Sequence, residues 1–325
     1  MRAFDVVAPG GPEVLTLVEE EPPTIRTSEV LIRTAAVAMN YSDVLQRRGT
    51  YRLRPEAVQR LGLECAGTIT AVGDDVHHFK VGDEVCALVP GGAYAELVSV
   101  DARLVLPVPP SIALQDAASL PEMAATVWSN LIDIGRLREG STVLVHGGSG
   151  GIGSGAIQVA RAFGARVFTT CGTDKKTARC LSLGAYLAIN YKTHDFVEEI
   201  LRETRGTGAD IILDNMGGTY LERNIQVAAE DGRILTIGLQ GGARTEVNLG
   251  AMMEKRLALH VTSLRDRSLR ERARILTGVR DDIWPLIERG ELRPVIGRRF
   301  PFDNAADAHR YAESGDASGK TLLTL

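Results

Sequence analysis

Residues 142–164 read TVLVHGGSGGIGSGAIQVARAFG, and this stretch carries the most specific chemistry in the chain. A β-branched apolar strand runs into a turn with glycines at 147, 148, 150, 151 and 153. A helix follows, with apolar residues at 156, 157, 159, 160 and 163. The pyrophosphate of a dinucleotide needs bare backbone N–H groups at a helix N-terminus with no side chain in the way. Ser149, Gly150, Gly151 and Ile152 are expected to offer them, and Gly153 lets the helix lie close against the strand. A glycine-rich match alone is weak evidence, because glycine is common. Here a strand precedes it and a helix follows it, which disfavours the plainer reading of a mobile loop.

The next strand, RVFTTC, bears on which dinucleotide. An Asp or Glu at its end would bond a ribose 2′-hydroxyl and repel a 2′-phosphate. The strand instead ends in Cys171, followed by Gly172, Thr173, Asp174, Lys175 and Lys176. With no acid at the strand end and two lysines close behind, NADPH is expected over NADH. Asp174 reads as the N-cap of a helix that Lys175 opens, aimed at backbone rather than ribose. The lysines read equally as a phosphate clamp or as a solvated helix face.

These residues need a frame, and a chain of 325 residues has room for two domains. At 44% hydrophobic and 24% charged it reads as globular, and a net charge of −4 gives no reason to wrap a phosphate backbone, so nucleic acid is not expected as a partner. The opening MRAFDVVAPGGPE places Asp5 and a Pro/Gly turn where a signal peptide needs an apolar run, and no later run reaches spanning length. A cytoplasmic protein without a membrane segment is expected. Cysteines at 65, 86, 171 and 180 show no C-x-x-C spacing and read as buried free thiols.

Up to about residue 110, turn signals such as PGGPE, GDDVHH and PGGAY separate short runs such as EVLIRTAAVAM and CAGTITAVG, a mostly β, barrel-like pattern. From Val143 to about Leu264, strands alternate with helices (DIILDN, for example, leads into a helix expected to reach Ala229), the pattern of a doubly wound parallel sheet. A helix-spaced segment then runs to a stop at Gly290. The tail (RRFPF, NAADAHRYAESG, TLLTL) is read as returning to the first domain. The expected division is residues 1–120 with 290–325 against 121–289.

Beyond these patterns, AMNYSD, GLECAGTITAVGDDV, VGDEV, the turn at 146–153, NYKTHDF, ILDNMGG and GKTLL, in this order along the whole chain, resemble the medium-chain dehydrogenase/reductases. The similarity is to their zinc-free quinone oxidoreductase branch, which includes the zeta-crystallins. It implies an α/β architecture: a doubly wound Rossmann domain binding NADPH, plus a GroES-like, mostly β catalytic domain. Zinc-dependent relatives place a Cys ligand where this chain has Asn40, a His where it has Leu63, and a third ligand near PEMAAT, which has neither Cys nor His. A catalytic zinc needs three protein ligands, so no metal is expected.

The resemblance further implies Asn40 beside the nicotinamide, with Tyr41 and Tyr51 near the acceptor, although either tyrosine also reads as a core or rim residue. It implies Gly172, Thr173 and Lys176 at the 2′-phosphate, Tyr191 on the adenosine side, Met216 and Gly238 along the cofactor, and Lys320 near its phosphates. Glu64 reads as a buried acid bonded to backbone or to an Arg rather than as a proton carrier. The expected activity is hydride transfer from NADPH to a quinone or similar conjugated carbonyl, for which a Lewis acid is dispensable. The alternatives are an enone, alkenal or enoyl-thioester reductase and, in another class, a catalytically silent NADPH-binding, RNA-binding or crystallin-like protein. The apolar strand LALHVTSL, as a free sheet edge, suggests a homodimer.

Overall fold

The structure, a computed structural model, describes residues 1–51, 53 and 58–325. The chain falls into two compact units, residues 1–125, 268–289 and 293–325 in the first and 126–267 with 290–292 in the second.

The first unit opens with the antiparallel pair β1 (Arg2–Val6) and β2 (Leu15–Glu19). There follow β3 (Glu29–Met39), α1 (Tyr41–Arg47), β4 (Glu64–Val72), β5 (Glu84–Leu88), β6 (Leu97–Asp101), β7 (Val105–Pro107), α2 (Leu114–Ala117) and α3 (Pro121–Val127). β3 organises this sheet. Val30, Ile32 and Thr34 alternate into the core with the period of two that a half-buried strand requires, and residues 36–39 are all buried. Along one edge β3 pairs with β4; along the other its first half pairs with β6, leaving its second half for a further strand.

The second unit is an open parallel sheet. Its elements are β8 (Thr142–His146), α4 (Gly151–Ala162), β9 (Arg166–Cys171), α5 (Asp174–Ser182), β10 (Leu187–Asn190), α6 (Phe196–Glu203), β11 (Ala209–Asp214), α7 (Gly218–Val227), β12 (Ala228–Thr236), α8 (Leu249–Glu254) and β13 (Ala258–Val261). The strand order β10-β9-β8-β11-β12-β13, every pair parallel, is the doubly wound arrangement, with its switch point between β8 and β11. Leu144, Phe168, Ile189, Ile212 and Ile234 form its buried heart. The helix expected to reach Ala229 stops at Val227, because Ala228 already pairs with Ala209 in the sheet and that pairing overrides alanine's helix preference.

The chain then returns to the first unit through α9 (Leu269–Gly278), α10 (Trp284–Glu288), β14 (Ile296–Pro301), α11 (Ala305–Glu313) and β15 (Lys320–Thr324). Residues 268–289, expected with the parallel sheet, pack instead against the first unit, where the Trp284 indole donates to the Pro107 carbonyl at 3.0 Å. β15 pairs with the vacant half of β3 and β14 pairs with β15, so the sheet reads β14-β15-β3-β4-β5-β7.

Candidate functional site

In the first unit, register brings together residues far apart in sequence. Thr321 pairs with Met39 and Cys65 pairs with Val37, so Lys320 at the start of β15 and Glu64 at the start of β4 flank the chain where β3 ends and Asn40 begins. The Lys320 ammonium donates to Glu64 Oε1 at 2.5 Å and to Asn40 Oδ1 at 2.6 Å, and Asn40 Nδ2 donates to Glu64 Oε1 at 2.9 Å. The other carboxylate oxygen accepts from the Glu122 backbone N–H at 2.8 Å. Glu64 is fully buried and Lys320 is 4% exposed, so each charge depends on the other for compensation. Both ends of the Asn40 side chain are engaged, and its backbone N–H donates to Asp43 at the first turn of α1.

Glu64 therefore has the backbone donor expected of it, but its cation is a lysine. Lys320, expected near the cofactor's phosphates, is committed to Asn40 and Glu64. A buried ammonium without a carboxylate would carry the full cost of desolvation. Tyr41 opens α1 and is 41% exposed. Tyr51 is half-buried beyond the helix, its backbone N–H donating to the Leu45 carbonyl at 3.1 Å. Leu63 is buried apolar. Among the described residues no group of three or more His, Cys, Asp and Glu is placed to hold a metal ion, and the donors beside Asn40 are an amide, a carboxylate and an ammonium. This set does not fit a catalytic zinc.

In the second unit the carboxyl ends of β8, β11 and β12 converge on one residue, Asn215. A Cβ on Gly147, whose φ of +70° favours glycine, would come 2.7 Å from the Asn215 amide nitrogen, and a Cβ on Gly238 would come 2.9 Å from its carbonyl oxygen. Asn215 Oδ1 is buried without a hydrogen-bond partner, an unsatisfied acceptor on a residue at the carboxyl end of the sheet, where α/β folds bind ligands. Asp214 shapes this corner, accepting from the N–H groups of Met216 (2.8 Å) and Gly217 (3.0 Å). Burial holds its carboxyl above the usual range against those bonds. Ser149, Gly150, Gly151 and Ile152 lead into α4, with Gly150 as its N-cap and the helix's first N–H groups beyond it. A Cβ on Gly153 would meet the Gly147 carbonyl oxygen at 2.3 Å, so the close approach of turn and helix depends on glycine there.

His146, the last residue of β8, anchors the turn from below, bonded to Thr170 Oγ1 at 2.9 Å and Asn224 Oδ1 at 2.8 Å and set edge-on against the stacked rings of Phe196 and Tyr220. Burial pushes its pKa down to about 4, so the ring is neutral.

At the end of β9, Gly172 faces the Tyr191 hydroxyl, 2.6 Å from where a Cβ would sit, so two of the expected residues meet. The N-cap of α5 is Thr173 rather than Asp174: its hydroxyl accepts from the Lys176 N–H at 3.3 Å, while Asp174 accepts from the Asn190 amide at 2.7 Å. Lys176 stands in the first turn of α5, half-buried. Sequence reasoning passed over Asn215. Its only signal was its place directly after an apolar strand of the parallel sheet.

Two family profiles match the chain: "Alcohol dehydrogenase GroES-like domain" over residues 26–110 and "Zinc-binding dehydrogenase" over residues 183–323. The quinone oxidoreductase of Rattus norvegicus is 32% identical, covering 100% of this chain and 98% of that protein. A phenolphthiocerol/phthiocerol polyketide synthase protein of Mycobacterium tuberculosis is also 32% identical over 98% of this chain, but the chain spans only 14% of that protein's length. Among solved structures, the Escherichia coli quinone oxidoreductase complexed with NADPH is 30% identical, covers 100% of both chains and superposes with a TM-score of 0.91. The parallel sheet around Asn215, the β sheet that seats Asn40, and likeness along the full length lead to one conclusion: the chain belongs to the medium-chain dehydrogenase/reductase family, in its quinone oxidoreductase branch.

Proposed function

We propose that this oxidoreductase uses NADPH to reduce a quinone or similar conjugated carbonyl without zinc. The observation that carries the reading is the end of β9, where a thiol stands in place of a carboxylate, Gly172 lies against the Tyr191 hydroxyl with no room for a side chain, and Lys176 follows in the first turn of α5. A 2′-phosphate meets no like charge at that strand end and finds a cation nearby, whereas an NADH ribose finds no carboxylate. The solved relative that carries NADPH supports the same reading. The Gly-rich turn and the α4 N-terminus would hold the pyrophosphate, with Met216, Gly238 and the Asn215 acceptor bordering the rest.

Bound NADPH supplies the hydride. The chain's contribution is positioning and charge. Glu64 and Lys320 fix the Asn40 amide in one orientation for the nicotinamide side, and Tyr41 and Tyr51 are the candidate donors to the acceptor oxygen as negative charge develops there. Conjugation makes such an acceptor reactive enough to do without a Lewis acid, in keeping with the donor set beside Asn40. The match to a stretch of a polyketide synthase favours a second reading, reduction of an enone or enoyl thioester by the same hydride chemistry. The proposal includes a homodimer paired through β13, an edge strand of its sheet.

The test follows NADPH and NADH oxidation by the pure protein with a matched panel of quinones, enones and enoyl thioesters. NADPH-dependent turnover fastest on quinones is the expected result. Faster turnover of enones or thioesters moves the function to the second reading, and no turnover with any acceptor removes both. Lys176→Ala is expected to raise KM for NADPH about 10- to 100-fold, the loss of about 1.5–3 kcal/mol for a charged hydrogen bond, and to leave NADH nearly unchanged. Equal losses for both cofactors remove Lys176 from the 2′-phosphate.

A further inference from the structure

Cys171 closes β9 and Cys180 lies within α5, and their sulfurs are 3.9 Å apart. Both are free thiols, 3% and 0% exposed. The pair sits beneath two parts of the nucleotide site at once. A Cβ on Gly148 of the Gly-rich turn would come 3.2 Å from the Cys180 sulfur, and Gly172, Thr173 and Lys176 lie on the chain between the two cysteines. A disulfide needs its sulfurs about 2.05 Å apart, so closure asks for an approach of about 2 Å.

We propose that Cys171 and Cys180 form a dithiol that a hydroperoxide oxidises to an internal disulfide, and that the bond disables the nucleotide cradle built over it. The second half rests on the NADPH reading above. Cys171 is the attacking sulfur. Its hydrogen bond with Cys180 and the nearby Lys176 ammonium draw its thiol below the usual range against the opposing effect of burial, while the same bond and burial push Cys180 up. The Cys171 sulfur attacks one peroxide oxygen and the O–O bond breaks. The other oxygen leaves as an alcohol or water, carrying the thiol's proton, and Cys171 becomes a sulfenic acid. The Cys180 sulfur then attacks Cys171, the S–O bond breaks, and the hydroxyl departs as water with the Cys180 proton. Two electrons pass from the thiol pair to the peroxide.

Cys65 and Cys86, on the neighbouring strands β4 and β5 of the other unit, provide the internal control. Burial pushes the Cys65 thiol up to about 12 and raises Cys86 well above its ordinary value, which makes both poor nucleophiles.

The experiment treats the full chain with hydrogen peroxide or cumene hydroperoxide, blocks remaining thiols with an alkylating reagent, and maps the digest by mass spectrometry. The expected product is one cross-linked peptide pair joining Cys171 to Cys180, with Cys65 and Cys86 alkylated, reversed by dithiothreitol and absent from Cys171→Ser and Cys180→Ala. Wild type alone decides the first half, so a poorly folding variant does not obscure it. Four alkylated cysteines after prolonged excess peroxide, or a cross-link to Cys65 or Cys86, overturns the dithiol. NADPH binding, followed by fluorescence, is expected to weaken at least tenfold on oxidation and to recover on reduction, and saturating NADPH is expected to slow the cross-link. A cross-linked protein that binds NADPH unchanged overturns the link to the cradle. A reduced protein that ignores NADPH overturns the cofactor reading and leaves the cross-link to stand or fall on its mass.

Discussion

At the scale of the residue, the decisive arrangement is a buried ion pair holding one amide. Glu64 and Lys320 are 256 residues apart in sequence, and no local pattern joins them. Either is legible alone as a charged residue beside a strand, but their meeting is a consequence of β15 taking the vacant half of β3. Lys320→Met leaves a buried carboxylate uncompensated and is expected to cost about 3–5 kcal/mol in urea unfolding, whereas adding Glu64→Gln to it recovers much of the loss because no lone charge remains. A double variant no more stable than the single one would show that the pair's surroundings, rather than its charge, hold the site. Two buried histidines add a pH dependence. Burial lowers His146 to about 4 and His309 to about 3, the latter aided by Arg47. Between the ordinary histidine value of about 6.5 and those values, the unfolded chain binds protons that the folded chain refuses, so stability falls as pH falls through that window. Thermal melts from pH 7 to pH 4 should show this, on the order of 2–3 kcal/mol per ring. His146→Gln should flatten the decline, and a Tm constant across the window would mean that the rings are protonated in the fold.

At the scale of the element, what was legible was what is local. The Gly-rich turn announces itself because strand, glycines and helix are consecutive, and the alternating segments imply a parallel sheet by the same rule. Where two local solutions compete, the sequence is silent. Thr173 and Asp174 are both good caps, and Thr173 takes the role while Asp174 bonds Asn190 from the neighbouring strand. Asn215 is invisible for a related reason: an Asn after a strand reads as a turn residue until the ends of β8 and β12 close on it. The turn also gives a sharp element-level test. A methyl group on Gly153 would collide with the carbonyl of Gly147 and, at 2.7 Å, with the Cα of Gly148, all backbone that cannot rotate aside. Gly153→Ala is expected to cost about 1–3 kcal/mol by overpacking and to weaken NADPH binding in proportion as the turn shifts. Calorimetry of unfolding and cofactor fluorescence read the two effects, and an unchanged affinity would place the pyrophosphate elsewhere.

At the scale of the whole molecule, a sequence reading reached the two kinds of architecture but misplaced one join. Residues 268–289 have helical spacing that suits either unit, and only tertiary contacts such as Trp284 with Pro107 show which unit they pack against. Among the described residues, the parallel sheet ends at β13 with no further strand paired to it. β13 pairs with β12 on one side only, Val261 on it is 68% exposed, and Leu249 and Met253 of the preceding α8 are 73% and 77% exposed. Unpaired N–H and C=O groups beside exposed apolar side chains form a template for strand addition, and a second copy of the same strand is self-complementary about a twofold axis. The proposed dimer therefore predicts light scattering at twice the 35.0 kDa of one chain. Val261→Lys puts a charge on that edge, a device that blunts strand pairing, and is expected to shift the mass toward the monomer with the Tm of each unit largely kept. A wild-type protein that scatters as a monomer at high concentration, or a Val261→Lys variant that stays dimeric, would remove β13 from the interface.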